Sequence, residues 1–496
     1  MKLYAEHLRP AATEAIEGDN RLLIGGEMID SGSGLSFDSI DPATGERLAT
    51  VPQAGPEDVD AAVRSAAESF RGEWGATSPA RREQLLHRFA DLLEERAADF
   101  ALVESLDTGK PVTQIEQIDL TVSVGLLRYY AGFPTKLSGE TVPVSAPGVQ
   151  AFTRREPLGV VAAITPWNFP INQAIYKIAP ALAAGCTVVL KPAEQTPLSS
   201  LMLGKLALEA GFPPGTINVI TGDGATGAAL VEHPGVAKIA FTGSGTVGRE
   251  IARSAASTLK HVSLELGGKN ANIVFADADL EAAAATAVLA IFFYSGQVCS
   301  AGSRLMVQEE VFDQVLETVA AGASGFQLGP GVDPATTMGP LISREQHSRV
   351  EGLVNAAAER GGELIRGSAL PDGPFESGYF YQPTVVTGLD DEAEATREEI
   401  FGPVLVAQPF STVEEVVSRV NSGPLGLAAG VWTESNATAL QLATALDVGA
   451  VWINSYNLFD PAAPWGGWKD SGYGRDAGPE SVEKFLQTKT IWNQFA

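Results

Sequence analysis

Gly159-Val160-Val161-Ala162-Ala163-Ile164-Thr165-Pro166-Trp167-Asn168-Phe169-Pro170 changes character at its midpoint. Gly159 to Ile164 is a short apolar run without a charge, the pattern of a strand buried on both faces. After the Thr165–Pro170 turn, Ile171, Ile175, Ile178 and Leu182 fall on one helical face. Gly185 then stands in the helix-stop position. The unit repeats downstream. Thr187 to Leu190 reads as strand, and Leu198 to Ala210 as helix, opened by Pro197 and closed by Gly211. Strands follow at Thr216–Ile220, Val236–Phe241 and Val262–Leu266, separated by helices at Ala225–Glu232 and Thr246–Ala256. This alternation predicts an α/β chain with a doubly wound parallel sheet. Ligands of such sheets sit outside the carboxyl ends of the strands.

A second strand–helix series starts at Asn272. Ile273–Phe275 reads as strand, and Leu280–Phe293 as an Ala-rich helix running toward Cys299. Further strands are expected at Arg304–Val307 and Val451–Ile453. Upstream, the region before Ala80 reads as short strands and turns, and Pro79–Gly109 as helical. The tail, Lys489–Trp492, reads as an extended strand with no obvious home sheet, which points to pairing with a neighbouring subunit.

The 496 residues suggest about three domains, at roughly 150 residues each. With 45% hydrophobic and 19% charged residues, the chain can build large cores. A net charge of −26 disfavours nucleic acid and anionic membrane surfaces as partners. The most apolar stretch, Ala282–Phe293, has 12 residues, short of the roughly 20 that cross a bilayer. Met1–Asn20 lacks the apolar segment of a secretory signal. With Cys186 and Cys299 as the only cysteines, the chain suits a reducing, cytoplasmic setting. Scattered histidines without ligand spacing predict no metal site.

Several residues could carry chemistry. Phe241-Thr242-Gly243-Ser244-Gly245 lies between a strand and a helix, where small residues and free N–H groups can receive a pyrophosphate. Lys191 and Glu194 end another strand. A carboxylate there can hold ribose hydroxyls and repel a 2′-phosphate, although a surface ion pair reads equally well. Cys299 is flanked by small polar residues, whereas Cys186 adjoins an apolar strand and reads as structural. Glu265 is a single carboxylate at an apolar strand end. It is a candidate general base if buried, or a partner of Lys269 if not. Asn168 offers a side-chain N–H to an oxyanion, or simply forms a turn.

In this order and spacing, Pro166–Pro170, Lys191–Glu194, Phe241–Ser244, Leu264–Lys269, Gly296–Cys299, Glu399–Val404 and Pro464–Lys469 resemble the aldehyde dehydrogenase superfamily from about Leu22 to Trp492. The resemblance implies that Cys299 attacks the aldehyde carbon, with Asn168 and the Cys299 N–H holding the oxyanion. Hydride goes to NAD, with NADP less favoured, and Glu265 activates water against the thioester. Lys177 would stand beside this relay. Glu399 and Phe401 would hold the nicotinamide ribose and ring. Ile164, Thr165, Pro166, Trp167, Lys191, Glu194, Gly224, Gly227, Phe241, Thr242, Gly243, Ser244, Val247, Leu266 and Gly267 would line the rest of the cofactor cleft. Two positions depart from the commonest pattern. Asp476 stands where many relatives have Glu, and Trp465 where Phe is more usual.

The resemblance also implies three parts. These are an NAD-binding domain (1–132 and 156–264), a catalytic α/β domain (265–470), and a small β bridging element (133–155 and 471–496) that builds homodimers or homotetramers. Phe169, Tyr176, Phe293, Phe459 and Trp465 should line the substrate tunnel. Five aromatic rings suit an aryl aldehyde. The segments Phe459–Pro464 and Arg475–Pro479 look most like phenylacetaldehyde dehydrogenases. Betaine aldehyde, held by cation–π contact with help from Asp460, or a broad range of aliphatic aldehydes is the alternative.

Overall fold

The computed structural model describes residues 2–4 and 6–495. Five parallel strands form the centre of its first sheet: Val160–Ile164, Thr187–Lys191, Ile217–Val219, Lys238–Thr242 and His261–Glu265. Numbered in chain order, they lie in the order 3-2-1-4-5. The order reverses between Val160–Ile164 and Lys238–Thr242, which opens a crevice at their carboxyl ends. The register aligns those ends: Ile164 pairs with both Lys191 and Phe241, and Thr242 pairs with Glu265. Alternation along each strand feeds two separate cores. Val161, Ala163, Val188 and Leu190 pack on one side with Ile175 and Leu182. Val160, Ala162, Ile164 and Val189 pack on the other with Val59 and Ala62. Antiparallel strands finish the edges, Leu22–Ile24 and Glu27–Ile29 on one side and Gly472–Tyr473 on the other.

The helix Pro170–Ala184 crosses between the first two strands. Ile171, Ile175, Ile178 and Leu182 are all fully buried, each contributing about 1.5–3 kcal/mol. Gly185 ends it at φ +99°, a conformation that favours glycine. Pro180 lies inside this helix, so the Tyr176 carbonyl one turn earlier receives no helical N–H.

A second sheet has seven strands, in the order Glu363–Arg366, Thr384–Thr387, Val404–Phe410, Arg304–Gln308, Ala271–Val274, Ala428–Trp432 and Ala450–Ile453. All neighbours are parallel except the first pair. A third, antiparallel sheet joins Thr141–Val142, Val149–Pro157 and Leu486–Gln494.

Three expectations need correction. The region before Ala80 contains helices at Pro10–Glu17, Pro56–Arg71 and Glu73–Ala76 as well as strands. Pro56 opens the longest of them, and the Asp58 carboxylate accepts the Gly55 N–H to cap it. Pro79–Gly109 is two helices, Pro79–Glu95 and Ala97–Thr108, broken at Arg96. The first buries one stripe; the second is buried on every side from Phe100 to Thr108 and leaves the first helix's direction. The tail has a home sheet in its own chain, pairing with Val149–Pro157 from Leu486 to Gln494. Two domain edges expected from the sequence also divide differently among the sheets. Gly472–Tyr473 pairs with Leu264 and Glu265 in the first sheet, and Glu156 and Pro157 lie in the third.

Candidate active site

The segment that carries Cys299 leaves the helix Leu280–Phe292 through three left-handed residues, Tyr294, Ser295 and Gly296 (φ 46°, 53° and 70°). Such a run is strained for residues with a Cβ, by about 1–3 kcal/mol each, and persists only where the surroundings hold it. Here the surroundings are side chains that grip the backbone carbonyls. The Asn168 amide donates to Gln297 O (2.9 Å), the Asn270 amide donates to Cys299 O (2.8 Å), and the Tyr456 hydroxyl donates to Ser300 O (3.0 Å). The Gln297 side chain accepts the Ile342 N–H at 2.9 Å. With its carbonyls turned outward, the loop presents the sulfur and the N–H groups of Cys299 and Ser300 together. The Asn168 amide nitrogen has two hydrogens, and one is used on Gln297. That bond fixes the side chain against the cysteine loop, and Asn168 is buried.

Cys299 opens onto a cavity of about 670 Å³. All five aromatics expected from the sequence line it: Phe169, Tyr176, Phe293, Phe459 and Trp465. Trp432, Tyr456 and Leu289 add to the wall, and Asn454 and Asp119 supply polar atoms. Trp465 stacks on Trp452 (5.8 Å between ring centroids) and meets the Phe459 ring edge-on at 4.9 Å. Burial, with the Glu399 and Glu265 carboxylates nearby, pushes the Cys299 thiol up to about 12.

Glu265 lies on the same cavity. It is buried, and neither carboxylate oxygen has a hydrogen-bond partner. Burial first, and the Asp476 carboxylate second, raise its pKa well above the usual range. The pairing with Lys269 does not form. The Lys269 ammonium is itself without a partner, and burial pushes it down to about 7. Behind Glu265, Lys177 donates to the Thr242 hydroxyl (2.7 Å) and to Asp476 (3.2 Å). Lys484 donates to the other Asp476 oxygen. Burial would raise the Asp476 carboxyl, but the two ammonium groups outweigh it and hold it at about 2.

Most of the other expected residues follow the carboxyl ends of the first sheet's strands. Thr165 is buried with an unpartnered hydroxyl, and Pro166 and Trp167 follow it. The Trp167 ring meets Phe401 edge-on at 5.2 Å, and Phe401 itself is left-handed at φ 57°. Gly243 donates to Glu265 O (3.0 Å), and a Cβ there would come within 2.5 Å of the Phe241 ring. Ser244 caps the helix Gly245–Ala256 through the Val247 N–H, and the Val247 side chain is exposed on that first turn. A Cβ on Gly267 would meet the Glu399 carboxylate at 2.0 Å, and Glu399 accepts the Gly268 N–H at 3.0 Å. Leu266 joins the cavity wall. Lys191 is buried, with its ammonium 3.5 Å from Glu194, whose side chain is 42% exposed. Gly224 opens the helix after Ile217–Val219, and a Cβ on it or on Gly227 would touch nothing.

Sequence reasoning missed a charged pair under the aromatic wall. Lys110, fully buried, donates twice to Asp119 (2.8 and 2.6 Å), and its ammonium stands 3.5 Å from the Phe169 ring centroid. A lysine between Gly109 and Pro111 was the available signal. Lys484 and Asn270 were missed too: Lys484 reaches Asp476 without any motif to mark the pair, and Asn270 reaches Cys299 O across 29 residues.

The aldehyde dehydrogenase family model matches residues 28–491. Over 479 residues the chain is 46% identical to the DhaS protein of Bacillus subtilis (strain 168), covering 96% of each. Over 488 residues it is 44% identical to a phenylacetaldehyde dehydrogenase of Pseudomonas fluorescens, covering 97% of each. The solved NAD+ complex of an aldehyde dehydrogenase from Bacillus cereus superposes with a TM-score of 0.96 at 42% identity, covering 99% of both chains. With a match over nearly the whole chain, and a thiol and an unpartnered carboxyl on one cavity, the chain belongs to the aldehyde dehydrogenase family.

Proposed function

We propose that this enzyme oxidises an apolar aryl aldehyde, with phenylacetaldehyde as the model substrate, to the carboxylic acid. NAD takes the hydride, and the intermediate is a thioester on Cys299. The observation that carries the reading is the cavity itself: Cys299 and an unpartnered Glu265 face one another inside an aromatic wall, beside the crevice of the first sheet.

The residues present fit a dinucleotide. Thr165 keeps a buried hydroxyl without a partner, and Gly243 and Gly267 leave backbone alone as the surface. The 12-residue helix after Ser244 has N–H groups in its first turn with no helical acceptor. The exposed Glu194 beside Lys191 suits a free ribose and disfavours a 2′-phosphate, so NAD is preferred over NADP. When bound, the nicotinamide supplies a hydride acceptor. On this reading the first sheet and its helices carry the cofactor and the second sheet's part the reacting cysteine, with the third sheet, Thr141–Val142, Val149–Pro157 and Leu486–Gln494, as the bridging element.

The chain's own groups account for the remaining chemistry. The Cys299 thiol gives its proton to Glu265, and the sulfur bonds to the aldehyde carbon. The second Asn168 N–H and the Cys299 N–H receive the oxyanion, each such donor contributing about 2.7–4 kcal/mol. Glu265 releases that proton to solvent; after oxidation the ionised carboxylate takes a proton from water, which attacks the thioester carbon, and the C–S bond breaks to free the acid.

The aryl preference rests on the cavity wall. Asp460 is exposed, caps the turn at Ala462, and does not line the cavity, so a trimethylammonium group gains no carboxylate there. The test is kcat/KM with NAD for phenylacetaldehyde, hexanal and betaine aldehyde. Phenylacetaldehyde should exceed betaine aldehyde by at least about tenfold. Equal values on all three contradict the aryl reading. The tail sheet, with Trp492 62% exposed, supports assembly as a homodimer or homotetramer.

A further inference from the structure

We propose that Lys484 is a positioning residue for thioester hydrolysis: together with Lys177 it clamps the short Asp476 carboxylate, and so keeps Glu265 able to take the proton of water. This rests on the function proposed above.

The three charged groups come from three parts of the chain. Lys177 projects from the buried helix Pro170–Ala184, Asp476 from the loop after Gly472–Tyr473, and Lys484 from the end of the helix Glu480–Glu483. Each Asp476 oxygen has its own ammonium, Lys177 at 3.2 Å on one and Lys484 on the other. Lys484 is itself oriented by donating to Arg475 O at 2.8 Å, and its side chain is only 11% exposed. The Asp476 backbone is pinned by a reciprocal pair of hydrogen bonds with Trp465, 2.6 and 2.7 Å. The carboxylate is thus held at both oxygens. A glutamate here would reach one methylene further; the aspartate is short, and the second cation holds it in place and ionised.

Glu265 senses this cluster directly. Its carboxylate lies against Gly466, where a Cβ would come within 2.6 Å of it. Asp476 and Arg475 face it from the loop, Lys484 from the terminal helix and Lys177 from the buried helix. The Cys299 thiol and the Tyr176 phenol share its cavity. After burial, Asp476 is the largest influence that favours the protonated carboxyl, and Lys484 stands ahead of Lys177 and Arg475 among those that favour the ion. In hydrolysis, ionised Glu265 accepts a proton from water while the water oxygen bonds to the thioester carbon. The C–S bond then breaks, the sulfur takes up the proton, and the acid leaves. Removing Lys484 makes ionised Glu265 harder to maintain, so this step needs a higher pH.

The experiment compares Lys484→Met and Lys484→Arg with the parent enzyme. It follows steady-state rate against pH with phenylacetaldehyde and NAD, the first-turnover burst of NADH, and NAD-free hydrolysis of 4-nitrophenyl acetate, which acylates the thiol without a hydride step. For Lys484→Met the acid limb should rise by about one unit in both reactions, slowing turnover about tenfold below it. The burst and KM should be retained, and Lys484→Arg should restore the parent profile. An unmoved limb in folded Lys484→Met overturns the proposal, as does an equal loss of burst and steady state in both variants. If Lys484→Met does not fold, the Asp476→Asn/Lys484→Met pair decides. It removes the larger acid-favouring influence with the smaller opposing one, so its limb should fall below the parent's, and an unmoved limb overturns the proposal. A Cys299→Ser control separates the two readings, because a burst in that variant removes the thioester account itself.

Discussion

Cys186 and Cys299 are the same chemical group in two settings. Cys186 follows the turn at Gly185, fully buried, with its thiol donating to Phe485 O at 3.4 Å. Burial pushes it up to about 11. Cys299 is pushed higher still, to about 12, and for the same first reason. Resting acidity therefore does not mark Cys299 out. The difference lies in what each faces. Cys186 has core on every side. Cys299 has a cavity that admits a carbon electrophile, and a carboxyl without a partner on the same cavity. On the proposed mechanism, the nucleophile is marked by its base and its space rather than by a lowered pKa at rest.

The largest expected effect separates the two thiols. Cys299→Ser should lower the NADH-forming rate by at least about 10⁴-fold, while Cys186→Ala should leave it unchanged and cost about 1–2 kcal/mol of stability in denaturant melts. Comparable losses of rate from both would erase the distinction. Next, Asn168→Ala removes both a candidate oxyanion donor and the tie to Gln297 O. Its kcat should fall about 10²–10³-fold with retained binding of the cofactor; a parent-like kcat would take Asn168 out of the reaction. The smallest effect concerns acidity. Because both thiols are raised, the thiolate appears only toward high pH, so iodoacetamide labelling of Cys299 in the NAD-free enzyme should still be rising above pH 9. Glu399→Gln removes one of the raising carboxylates and should speed that labelling. A plateau near pH 8 in the parent enzyme would show an ordinary thiol.

The parts legible in the sequence were those with a local period or a compact motif. Val160–Ile164 could be read because both its faces are buried and every residue is apolar. The helix Pro170–Ala184 could be read because its apolar residues repeat at helical spacing. Phe169, Tyr176, Phe293, Phe459 and Trp465 were gathered from four separate segments by resemblance, and all meet at one cavity. The missed features are single side-chain contacts that follow no period and no motif. Nothing near Lys484 tells that its ammonium reaches Asp476, and nothing near Lys110 tells that Asp119 neutralises it beneath Phe169. Pro56–Arg71 was lost among turn signals, although the Pro56 and Asp58 start signature was present. The tail was sent to a neighbour because its partner, Val149–Pro157, carries three charges and little apolar pattern.

Trapping the acyl group on the sulfur tests the central claim most directly. Glu265→Gln, mixed with phenylacetaldehyde and NAD, should form about one NADH per active site and then turn over about 10²–10⁴-fold more slowly. Mass spectrometry of the quenched protein should find one phenylacetyl group, on the peptide that contains Cys299. Undiminished steady turnover with no acyl group on Cys299, or an acyl group carried on another residue, would contradict the account.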